Sequence, residues 1–145
     1  RMTIGFVKSV PKRCALSPKW KRSVEKILKK YSLEIEFGIT VVSFNSTPNY
    51  EDIIELLNYL AENDLYKKRL FDLTNIEFDL PALKLSAVAS YSKSIFLEKN
   101  KGAVVANLDL GFGATRQLAA YREDEISILH SYRKKQDAID WLLCD

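Results

Sequence analysis

"GAVVANLDLGFGATRQLAAY" occupies residues 102–121, and the reading of this stretch decides the fold. Its first half, "GAVVANLDL", is almost continuously apolar, as expected of a strand covered on both faces inside a parallel sheet. Two glycines follow, and then a helical pattern over 114–122. A strand that empties through glycines into a helix is also how phosphate-binding turns are built. Gly111 and Gly113 supply only G-x-G, however. Position 116, where a dinucleotide fingerprint needs a third small residue, is Arg116, and no Gly-Lys-Ser/Thr of a Walker loop is present. The turn also follows the fourth strand of the pattern rather than the first. The glycines are therefore read as a sharp turn from strand to helix. One functional asset remains: backbone N–H groups at the start of the helix, beside Thr115 and Arg116, suit a carboxylate or phosphate of modest affinity.

The flanking segments alternate in the same way. Upstream, "DLPALKLSAVASYSKSIFLEKN" predicts a helix over 79–96, with Asp79 as N-cap and Pro81 in the first turn. Leu85, Val88 or Ala89, and Tyr91 or Ser92 carry its periodicity. Before it, residues 69–73 of "KKRLFDLTNI" read as a buried strand. "STPNYEDIIELLNYLAEND" predicts another helix, capped by Asn49, with Glu51 and Asp52 complementing its dipole. Ile53, Leu56, Leu57 and Leu60 form its apolar face. "SLEIEFG" and "ITVVSFN" flank Gly38 as a hairpin. Downstream, "EISILHSY" is a strand, and "RKKQDAIDWLLCD" a helix with Ala138, Ile139, Trp141 and Leu142 turned inwards. The order β-β-α-β-α-β-α-β-α defines an α/β domain: a mixed, mostly parallel sheet with an N-terminal hairpin and four helices.

The 145 residues suit one domain, and 47% hydrophobic with 28% charged residues suits a globular chain. The net charge of +3 is unevenly spread. Residues 1–30 hold ten Lys/Arg and one acidic residue, whereas the remainder holds twelve basic and eighteen acidic residues. The division is thus a basic N-terminal extension over 1–31 and an α/β domain over 32–145. Trp20, Val24, Ile27 and Leu28 recur at helical spacing, predicting a short basic amphipathic helix over 19–30 suited to peripheral contact with an anionic membrane. No apolar run approaches the roughly 20 residues of a bilayer span, and residues 3–7 are too short for a secretory core. Cys14 and Cys144 form neither a disulfide framework nor a zinc site, which favours a cytoplasmic setting.

Three phrases, "LFDLTNIEFDLPAL", "GAVVANLDLGFGATRQLAAY" and "SILHSYRKKQDAIDWL", resemble the SpoIIAA-like branch of the STAS superfamily, whose founding members are bacterial anti-anti-sigma factors. The resemblance spans roughly residues 32–143 and rests on Asp72, the stretch 111–116 and "DAIDWL" at 137–142. It implies a STAS-like fold and a signalling module or a protein with an apolar ligand pocket, with no enzymatic role. Anti-anti-sigma factors place a phosphorylatable serine in a "DSSG"-like turn. The matching turn here is Asp79-Leu80-Pro81-Ala82, which offers no hydroxyl to a phosphate.

Other chemistry is thinly supplied. His130 is the single histidine, without Cys, Asp or Glu at ligand spacing, so no metal or cofactor site is expected. It reads as a strand-end histidine in a structural hydrogen bond. Asp72 and Asp79 share one edge, but Asp79 suits a cap and Asp72 a turn, and no catalytic residue is assigned. The expected function is non-enzymatic binding of a small amphipathic ligand between helices 79–96 and 114–122. Its tail would pack on Leu85, Ala89, Phe96 and Leu118, and its head would meet Gly113, Ala114 and Arg116, with Gly111 and Phe112 also counted as ligand-binding. The alternative is a protein-interaction or signalling regulator with a solid core, without the phosphoserine switch. Homodimerisation through an apolar helix face is compatible with either, and no specific nucleic-acid partner is expected.

Overall fold

Phe37 and Gly38 turn the first hairpin with φ of 53° and 76°, both positive as the central pair of a type I′ turn requires. They join β2 (Tyr31–Glu36) to β3 (Ile39–Phe44), which pair antiparallel from Glu36↔Ile39 to Tyr31↔Phe44. The computed structural model describes residues 2–3, 30–63, 66–122 and 127–144. After β3 come α1 (Tyr50–Asn63), β4 (Lys68–Asp72), α2 (Ala82–Ile95), β5 (Asn100–Val105), α3 (Asp109–Arg122), β6 (Ser127–Tyr132) and α4 (Lys135–Leu143). The backbone of Met2–Thr3, β1, pairs antiparallel with Glu34 and Ile35 and adds an edge strand from within the basic extension. The helix expected over 19–30 lies outside the described residues.

The sheet follows chain order, β1-β2-β3-β4-β5-β6, and β3 to β6 are parallel. Parallel strands that always advance in one direction, linked by crossovers of one hand, receive all their connecting helices on one face. Accordingly α1, α2 and α3 form a layer on that face, with α2 in contact with both others. The alternation of each strand sorts the core into two. Val42, Phe44, Phe71, Leu73, Val104 and Leu129 face the three-helix layer, whereas Ile39, Val41, Leu70, Ala103 and Val105 face Ala138, Ile139 and Leu142 of α4. The interior strand β5 is buried from Gly102 to Val105, as its apolar run predicts.

The caps show why the helices start where they do. Asn49 Oδ1 accepts from the Asp52 amide at 2.8 Å, and Asp52 Oδ2 accepts from the Asn49 amide at 3.2 Å. This is a reciprocal capping box with aspartate in the usual glutamate place. Asp52, itself buried, also pairs with Lys30 Nζ at 2.8 Å, tying the end of the basic extension to α1. Ile53, Leu56, Leu57 and Leu60 are buried as expected.

Several boundaries differ from the sequence reading, among them the strand expected over 102–110, which runs from Asn100 to Val105. The strand expected over 69–73 runs from Lys68 to Asp72. Helix α2 begins at Ala82 with Pro81, not Asp79, at the N-cap, and the amides of Lys84 and Leu85 donate to Pro81 O. Asp79 stands exposed before it, because the ring of Pro81 holds φ at −58° in an extended residue that ends the turn. The largest difference concerns α3, which starts at Asp109 rather than at 114. Asp109 suits the positive end of the helix, and the Phe112 amide closes the first turn on Leu108 O at 2.8 Å. Gly111 and Gly113 are therefore inside a helix, not in a loop.

Candidate functional site

Every second residue of the parallel strands points into the three-helix layer. From β4 these are Arg69 and Phe71, followed by Leu73; from β5, Gly102 and Val104; from β6, Leu129 and Ser131. The Leu129 side chain folds over Gly102, where an added Cβ would come within 2.9 Å of its Cδ1. The roof comes from Ile53 and Leu57 of α1, Val88 and Ser92 of α2 with Phe96 just beyond it, and Leu118 and Arg122 of α3. Floor and roof do not meet fully, and they enclose a cavity of about 100 Å³. An apolar cavity of roughly 150 Å³ accommodates benzene, so this smaller, partly open one takes only part of such a body, and a larger ligand extends out of it.

The lining has a direction. Phe44, Leu73, Phe78, Ile53 and Leu57 occupy the end where the parallel strands finish. Arg69, Ser92, Asn100, Lys101 and Arg122 occupy the end where they begin, and no acidic side chain lines the cavity among the described residues. Register fixes this placement: Arg69 lies opposite Gly102 and Gly102 opposite Leu129, while Arg122 precedes Ser127, the first residue of β6, which lies opposite Asn100. Arg69 and Arg122 are only 8% and 5% exposed. The Arg69 guanidinium sits over the Phe96 ring, 4.3 Å from its centroid, a desolvated cation–π contact. Lys101 spends its charge elsewhere. Its ammonium donates to the carbonyls of Trp141 and Cys144 at 2.5 Å each and caps α4 from the opposite face.

The residues expected to form the site do not converge. Phe96 and Leu118 line the cavity. Leu85, Ala89 and Ala114 are buried in the packing between helices and sheet. Gly111 is buried against the segment 76–78, where a Cβ would stand 3.6 Å from Ile76 O. Phe112 is half-buried and flanked by two guanidiniums, Arg133 at 4.2 Å and Arg116 at 5.8 Å from its centroid. Gly113 and Arg116 lie on the exposed side of α3. Arg69 and Arg122 were passed over in the sequence. Their signals were nevertheless present: Arg69 alternates with Phe71 and Leu73, and Arg122 follows Leu118 by four residues on one helical face.

The remaining candidates are held by local structure. Asp72 Oδ1 accepts from the Thr74 amide at 3.0 Å and from its hydroxyl at 2.5 Å, forming the turn that its position suggested. Asn75, at φ 63°, accepts from Asn107 Nδ2 at 3.0 Å and donates its amide to Asn107 Oδ1 at 2.8 Å. His130 points to the α4 side, and its contact is a stack on Trp141, centroids 4.2 Å apart, rather than the expected hydrogen bond. Beside it, burial, then the carboxylate of Asp137, pushes the Tyr132 phenol up. Among the described residues no group of three or more His, Cys, Asp or Glu is placed to hold a metal ion, and no helix is long and apolar enough to cross a membrane. Compared with known proteins, the chain matches no family model, no curated protein and no solved structure.

Proposed function

We propose that this chain is a non-enzymatic, cytoplasmic binding module of the SpoIIAA-like STAS type, holding a small amphipathic ligand between its sheet and its three-helix layer. The observation that carries the reading is the cavity itself: its surface is almost wholly apolar, and the polar residues Arg69, Ser92, Asn100 and Arg122 border the end where the parallel strands begin. Its apolar walls belong to α1, α2 and α3, so the ligand sits beneath the helices and not only between 79–96 and 114–122. The element order and the Asp72 turn accord with the family resemblance. The turn Asp79-Leu80-Pro81-Ala82 offers no hydroxyl, so a phosphoserine switch has no place there.

An amphipathic fluorescent probe such as anilinonaphthalene sulfonate tests the reading. It should bind the folded chain at one site, and Val88→Phe, which pushes a ring into the cavity, should weaken it at least tenfold. Undiminished binding to a folded Val88→Phe protein would move the site elsewhere. One observation favours the alternative, a partner-binding regulator. Leu83 and Leu110, on the contacting helices α2 and α3, are 86% and 59% exposed. Isolated exposed leucines are common on monomers, so the cavity weighs more.

A further inference from the structure

We infer that two copies of this chain pair through β6, edge to edge and antiparallel, with the twofold axis at Leu129. Among the described residues no strand lies beyond β6. Residues 128–132 stay half-buried although helices pack on both faces of the sheet. The Ala106 amide donates to Tyr132 O, so strand alternation turns the backbone of Ile128, His130 and Tyr132 towards β5. The N–H and C=O groups of Ser127, Leu129 and Ser131 therefore point away from the sheet.

Edges of this kind are ordinarily blunted by charge, proline, a bulge or brevity. "SILHSY" has no proline and no Lys, Arg, Asp or Glu, and its six residues keep an unbroken register with β5. The opposite edge differs: β2 carries Glu34 and Glu36, and β1 of the same chain lies along it. What selects a second copy as the occupant is the charge on either side of β6. Glu123, Asp124 and Glu125 stand six, five and four residues before Leu129, and Arg133, Lys134 and Lys135 stand four, five and six after it. An antiparallel pair centred on Leu129 brings the acidic run of each copy beside the basic run of the other, whereas a parallel pair sets like charges together. Arg133 and Lys135 already meet Asp109 and Glu36 of their own chain. The cation left for the contact is Lys134, exposed at the head of α4 and without a partner among the described residues. The same centre suits the backbone. Leu129 faces Leu129 and Ser127 faces Ser131, so each outward residue exchanges both of its hydrogen bonds.

Sedimentation of the full chain from micromolar to millimolar concentration tests the pairing. A reversible monomer–dimer equilibrium is expected, weakened by salt because the interface is small and its ion contacts are exposed. In the same samples, amide exchange read residue by residue by NMR should slow about tenfold or more at Leu129 and Ser131 as the dimer forms. The amides of Ile128, His130 and Tyr132, bonded to β5 in either state, should change far less. Lys134→Glu and Asp124→Lys should each weaken the dimer by about three- to tenfold, and the two together should restore it. Ser127→Pro, at the first residue of the strand where proline is tolerated, removes one outward N–H per copy and should weaken it too. A chain that stays monomeric at millimolar concentration would overturn the inference. So would a dimer whose Leu129 and Ser131 amides exchange as fast as in the monomer, which would move the contact to another face such as that of Leu83 and Leu110. These wild-type measurements decide the matter even where a variant does not fold.

Discussion

Tyr31 illustrates how much one buried atom sets. Its ring packs edge-on against Phe44, centroids 4.9 Å apart, and its hydroxyl is buried with no hydrogen-bond partner. Burial first, then the carboxylates of Asp52 and Glu55, raises the phenol above its ordinary value of 10.0. The unfolded chain releases this proton near pH 10 while the folded chain keeps it. The folded state therefore binds more protons in that range, and stability present below pH 10 is lost as pH rises above it. Tyr31→Phe removes an unsatisfied hydroxyl without opening a cavity. It should leave stability at pH 7 unchanged or raise it by up to about 1 kcal/mol, and it should flatten the loss between pH 10 and 11. Urea denaturation at both pH values checks this. A loss of more than 1 kcal/mol at pH 7 would show that the hydroxyl has a partner after all.

At the scale of elements, α3 gives the sharpest test. Gly113 has nothing within 4 Å of where a Cβ would be, and at Gly111 a Cβ would make only ordinary contacts at 3.6 Å. Neither has positive φ, which among the described glycines belongs to Gly38 alone. Gly113→Ala should thus raise the stability of the chain by roughly 0.5–1 kcal/mol, and Gly111→Ala should be neutral or stabilising. A loop with left-handed glycines would suffer from both changes, so a fall in melting temperature for Gly113→Ala would restore the turn. The same helix shows what the sequence could reveal. Periodicity located every strand and helix of the described domain, because the apolar residues of "GAVVANLDL" and "EDIIELLNYL" answer directly to burial. Helix starts were harder. Gly111 and Gly113 carry low helix propensity, yet the helix runs through both, with Gly111 packed against residues 76–78, and Pro81 outcompeted Asp79 at the head of α2.

For the whole molecule, the layout of the layers makes the site. Among the described residues, sequential parallel strands put three helices on one face and α4 on the other, and floor and roof part on the three-helix side. That consequence of topology was readable in the order of the elements, but the cavity was not. A void is the mismatch of many side chains, here Val88, Leu118 and Phe96 among those that line it, and no local pattern records it. Arg69 and Arg122 escaped attention for a related reason: they are far apart in sequence and come to border one cavity only through the register of β4, β5 and β6. The charge separation along the chain is a further property at this scale. The acidic domain takes part of the basic extension into its own structure, through β1 on the sheet edge and Lys30 on Asp52.

The most direct test of the central claim is native mass spectrometry of the full chain after gentle purification, before and after passage through a denaturing and then a refolding buffer. The account predicts a reproducible added mass of one small amphipathic molecule per chain, lost after that passage. A chain that shows only its bare mass after gentle purification, at an energy that preserves the fold, would contradict it.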